Sequence, residues 1–294
     1  MYPFLLISIL VRSAPILLPL LLTVFSVNIA LSVTVEEIGI YHFNNKDCRK
    51  YKLSDISLTL QRLIKEIEEL ITKRNKDSLV FINLRDASPS ANWPASSSDS
   101  GKDFVVGINP QLINEWGIAH ELIHFRESPG FHFPSHVLSD NHPYKDYLRG
   151  LENILVDFYI TQKIQEYGFD ISEHIRLTLR IQTAPLVSGS TVHHPQSSKE
   201  DWLLVTSYLN TYSNYQDVMG NNAVSPELKG LYNETMLRFT RRFPHHVALA
   251  GKIIDITKEV GVYPEENYKE CIKRIISDGD FRKMFHLLPM EIEK

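Results

Sequence analysis

The chain is poor in cysteine. It has two, Cys48 in "KDCRK" and Cys271 in "KECIK", so no disulfide framework can replace a hydrophobic core. One bridge joining the start of the domain to its end, or two free thiols, are the alternatives. A basic field is missing too. The net charge is −4 with Lys and Arg spread along the chain, which excludes nucleic acid as a partner. No long-period repeat is present, which removes solenoids and propellers. What remains is 294 residues of ordinary globular composition, 43% hydrophobic and 22% charged, enough to bury one large or two small cores.

Charge is also absent locally. From Ser13 to Val35 nothing interrupts "SAPILLPLLLTVFSVNIALSVTV", with Arg12 before it and Glu36 and Glu37 after it. Its densest apolar part, Ala14 to Val27, has the length of a signal-peptide core, and Ala30 and Ser32 offer small residues for cleavage after Ser32. The whole run is also long enough to span a bilayer uncleaved. Pro15, Pro19 and the lack of a polar face argue against a buried soluble helix. Arg12 on the near side places the rest outside the cytoplasm, secreted or membrane-anchored, with the membrane as a partner if the segment stays. Asn233 in "NET" fits a glycosylation sequon.

Past "IGIYHF", Ile56, Leu60, Leu63, Ile64, Ile67 and Ile71 recur at helical spacing. "SLVFINL" reads as a strand, Ser88 to Gly101 as a polar loop, and "DFVVGIN" as a second strand. Asn109 and Pro110 form a cap and first-turn pair that opens the next helix. After the loop "SPGFHFPSHVLSDNHP" a long helix runs from about Tyr144 to Tyr167, and five further segments from "DISEHIRLTLRIQT" to "EENYKECIKRIIS" are helical. The expected fold is α+β and mostly helical. Its parts are an N-terminal segment 1–32, a core 33–184 and a helical portion 185–294 packed on that core.

The helix that follows the second strand carries "WGIAHELIHFRE". His120 and His124 stand four residues apart, on one helical face, and can hold one Zn²⁺ at ~2.0–2.1 Å through their ring nitrogens. Glu121 points aside, near enough to take a proton from water without being spent on the metal. Leu112, Ile113, Trp116 and Ile123 give this helix an apolar face. Asn114 and Glu115 read as surface residues.

Strand, then HExxH helix, then a later helix is an order that resembles the zincin metallopeptidases over roughly Val80 to Tyr167. Glu127 and Gly130 occupy the positions where a metzincin would continue with glycine and histidine, so the resemblance is to gluzincins. It implies a small sheet whose edge strand holds extended substrate beside the HExxH helix, and "DFVVGIN" is in position for that strand. It also implies a third ligand from the later helix "YKDYLRGLENILVDFYITQKIQEYG".

Two acids compete there. At about 100° per residue Lys145, Arg149, Glu152, Lys163 and Glu166 share one charged face. Asp157 sits instead beside Asn153, Ile160, Thr161 and Ile164, where an unpaired carboxylate would be costly and a metal would explain it. "NILVDFYI" also looks like the Asn-x-x-x-Asp helix of some zincin groups, although Val156 replaces the acid often seen before the Asp. Asp157 is the favoured ligand and Glu152 the alternative, and His132, His136 or His142 would be a third route. A buried Asp157 paired with an arginine or capping a helix is the structural alternative.

A donor to the oxyanion is also needed, and His193, His194, Tyr208 and Arg176 are unranked candidates. The expected function is an exported or membrane-tethered zinc metallopeptidase acting on peptides or proteins. An extracytoplasmic scaffold and a zinc hydrolase of non-peptide substrates are the other readings.

Overall fold

The computed structural model of the chain describes residues 33–91, 93–99, 101–127, 145–170, 172–179, 198–213 and 224–284. Strands β1 (Thr34–Phe43) and β2 (Lys46–Ser54) form an antiparallel hairpin. Asn44 and Asn45 make its two-residue turn with φ of 50° and 60°, the left-handed pair that matches strand twist and that asparagine tolerates. Helix α1 (Leu58–Lys73) starts on Ser57, whose Oγ accepts from Leu60 N at 3.1 Å, and buries Leu60, Leu63, Ile67 and Ile71. Next come β3 (Leu79–Asn83), the short α2 (Leu84–Ala87), β4 (Ala95–Asp99) and β5 (Phe104–Ile108).

The sheet order is β1-β2-β3-β5-β4. Only β3 and β5 are parallel, and β4 runs antiparallel to β5. Two expectations change here. The polar loop Ser88 to Gly101 contains strand β4, and it is β4, not "DFVVGIN", that forms the edge. All five residues of β5 are buried, because β3 and β4 flank it in the sheet and helices pack on it, Leu84 of α2 against Gly107 among them. The sequence "ASSSD" hides a strand because an edge with one solvated face does not need an apolar run.

Helix α3 (Glu115–Glu127) carries the motif. It begins later than the Asn109–Pro110 pair suggests. Asn109 is fully buried and its Oδ1 accepts from Gln111 N at 3.2 Å, an Asx turn that ends within a few residues. Asn114 starts the helix, its buried Oδ1 accepting from Gly117 N at 2.8 Å; it is therefore a cap and not a surface residue. Glu115 accepts a hydrogen bond from Ser57 N, so the starts of α1 and α3 are tied together.

The remaining helices are α4 (Lys145–Glu166), α5 (Ser172–Thr178), α6 (Ser198–Ser213), α7 (Pro226–Arg242), α8 (Pro244–Val260), α9 (Glu265–Ser277) and α10 (Gly279–Met284). This is a mostly helical α+β fold. One apolar cluster runs from Val33 through Trp116, Leu155, Val205 and Phe239 to Phe281, so the C-terminal helices share a core with the sheet and α3. Contacts divide the chain between Ser32 and Val33. The apolar segment up to Ser32 lies outside the described residues, and no described helix is long and apolar enough to cross a membrane.

Both cysteines are free and buried. Cys48 packs with Val80, Ile82 and Val105, while Cys271 belongs to the large cluster and its Sγ lies 3.1 Å from Gly261 O. Of the two alternatives for the cysteines, free thiols is the one found. Burial raises both thiol pKa values, that of Cys271 to about 11.

Candidate metal centre

Both ends of α3 are fixed before any chemistry is considered. Asn114 holds the start. At the other end Arg74 donates from Nη1 to Phe125 O at 2.6 Å and from Nη2 to Arg126 O at 2.9 Å. Its guanidinium lies 4.4 Å from the centre of the Phe125 ring, which stacks on Phe104 at 4.1 Å. A cation on the last carbonyls satisfies acceptors that the helix itself cannot. Gly117 allows a close approach on the side facing β4, where a Cβ would meet the Pro94 ring at 3.1 Å.

Trp116, His120 and His124 recur every fourth residue, so they form one row on α3. Trp116 is buried at the base of the row. The two imidazoles above it turn their Nε2 atoms together, 2.9 Å apart. Helix α4 brings Asp157 across them, with Oδ1 3.1 Å from His124 Nε2 and 3.2 Å from His120 Nε2. Among the described residues these three are the one group of His, Cys, Asp or Glu whose donor atoms all lie within 4.8 Å of one another.

The donor set suits a divalent cation. Tetrahedral bonds of ~2.0–2.1 Å place ligand atoms ~3.3 Å apart, close to the 2.9–3.2 Å found. Two ring nitrogens facing each other and one carboxylate oxygen also need something positive between them, a proton or a metal. Burial raises the pKa of Asp157, yet the charge and hydrogen bonds of His120 and His124 outweigh it and hold the carboxyl well below its ordinary range. Burial likewise lowers the pKa of His120, and Asp157 reverses the sign and leaves it raised. The side chains keep 21%, 29% and 34% exposure for His120, His124 and Asp157. All three side chains therefore keep partial contact with solvent.

Glu121 stands apart from the cluster. Its Oε2 accepts a hydrogen bond of 2.6 Å from Ser97 Oγ on β4. Glu152 lies on another face of α4, beside Tyr268 of α9; burial first and Glu152 second push that phenol's pKa up. The structure thus brings His120, His124 and Asp157 together and leaves Glu152 out. The side chains of Lys145 and Arg149 lie outside the described residues, as do His132, His136, His142, His193 and His194. Arg176 is exposed on α5. Tyr208 is a core residue packed against Tyr212 and Phe239.

One residue beside the centre was missed. His174 on α5 stacks on Trp116 with ring centres 5.1 Å apart and planes at 25°. Burial, and then the charge of His120, lower its pKa to about 3, against a smaller opposing effect of Asp157. It remains a neutral imidazole flanking the row. Its place in a separate short helix leaves no spacing signal in the sequence.

Comparison of the chain with protein-family profiles, curated proteins and solved structures finds no match.

Proposed function

We propose that this protein is an exported or membrane-tethered zinc-dependent metallopeptidase. The observation that carries the reading is the convergence of His120, His124 and Asp157 on one point, with Glu121 held off that point by an edge strand. His120, His124 and Asp157 would hold the metal. A zinc ion held there would supply Lewis acidity, acidifying water towards pKa ~7 and polarising a carbonyl. Glu121 acts as the general base, taking a proton at its carboxylate and delivering it to the leaving amine. His174 stacks on Trp116 at the base of the row.

Peptide substrates are favoured over other hydrolysable groups by β4. Among the described residues its outer edge has no strand partner, and an extended peptide satisfies such an edge with main-chain hydrogen bonds.

The test is digestion of denatured casein by the full-length protein. The expected result is cleavage that a chelator abolishes, that added zinc restores, and that Glu121→Gln lowers by on the order of 100-fold or more in kcat. Cleavage that survives both chelation and Glu121→Gln contradicts the proposal.

A further inference from the structure

We infer that Ser97 is a positioning residue that couples the pairing of substrate along β4 to the placement of Glu121. This rests on the peptidase reading above. Three serines follow one another in β4, and successive side chains of a strand point to opposite faces. Ala95, on the same face as Ser97, is buried against the protein. Ser97 therefore turns to α3 while Ser96 and Ser98 turn away, and its hydroxyl reaches Glu121 Oε2 at 2.6 Å. One carboxylate oxygen is thereby engaged and the other is left for a proton.

Among the described residues, the strand that carries this hydroxyl has a backbone ladder on one side only, with β5. Ser97 pairs with Val106 and Ala95 with Ile108. The start of β4 is pinned by Asn109 N donating to Pro94 O at 2.8 Å and by the contact of Pro94 with Gly117. A peptide that adds to the outer edge supplies the second ladder. The backbone that fixes Ser97 is then held from both sides, and Glu121 with it. A peptide too short to span the five residues of β4 leaves the strand with one ladder, so binding energy remote from the scissile bond appears in kcat and not only in KM.

The experiment uses the full-length protein and internally quenched peptides built around the bond that the wild type cleaves fastest in casein, in a short and a long series. The wild type should show kcat rising with peptide length. Ser97→Ala should keep its zinc and its KM for long peptides, lose on the order of 10–100-fold in kcat, and lose the length dependence. Ser97→Thr, which restores the hydroxyl, should recover most of both. A folded, zinc-loaded Ser97→Ala with wild-type kcat and an intact length dependence overturns the inference and leaves the peptidase reading standing. A zinc-loaded wild type that cleaves nothing overturns both.

Discussion

Asp157 Oδ1 lies 3.1 Å from His124 Nε2 although 33 residues separate the two in the chain. Around Asp157, helix α4 buries Ile154, Ile160, Thr161 and Ile164 and carries no second charge. A carboxylate in that setting is unfavourable unless a cation meets it. A proton shared with the two imidazoles, or a metal held by all three side chains, meets that need.

Metal affinity should depend on pH in a direction that the site fixes. Asp157 raises the pKa of His120 above 6.5 in the metal-free protein. The protonated imidazole stabilises the fold below 6.5, and that contribution is lost as pH rises through the raised value. A metal competes with this same proton. Zinc affinity, measured by competition with a chromophoric chelator, should therefore tighten steadily from about pH 6 to pH 8. An affinity that stays flat across this range contradicts the assignment of His120.

The helix that presents the histidines should be sensitive to its C-terminal clamp. Arg74 donates to two carbonyls of α3 and covers Phe125. Arg74→Ala leaves those acceptors short of a charged donor and removes the stem packed on the ring, at a cost of about 2 kcal/mol. Urea denaturation would show it as a lower midpoint with an unchanged slope. Wild-type stability in the variant would mean that the clamp is decorative.

Thiol chemistry separates the two fates of the cysteines. Cys48 and Cys271 are free, buried and raised in pKa, so neither is a ready nucleophile. The native protein should resist iodoacetamide and take up two alkyl groups per chain only after unfolding, one at each cysteine. Its melting temperature should not change with reductant. A reductant-sensitive melting temperature would point to a bridge.

How much of this was legible varies with the physics of each element. His120 and His124 could be read because i, i+4 spacing puts two histidines on one helical face, and Asp157 because it stood alone on a helix side with few charges. Strand β4 escaped because serines on an edge carry no apolar alternation. Strand β2 escaped because "KDCRKYKLS" is charged on its solvated side. Asn114 and Asn109 are chemically equivalent caps, and only the buried turn at Asn109 decides which one starts α3. His174 meets Trp116 through tertiary packing that no local pattern records.

The central claim is the metal, and its most direct test is zinc content by inductively coupled plasma mass spectrometry. The full-length protein would be measured beside Glu121→Gln, His120→Ala, Asp157→Asn and Glu152→Gln. The account predicts one zinc per chain in the wild type, kept in Glu121→Gln and Glu152→Gln and lost in His120→Ala and Asp157→Asn. A folded wild type that takes up no zinc even after incubation with it would contradict the account.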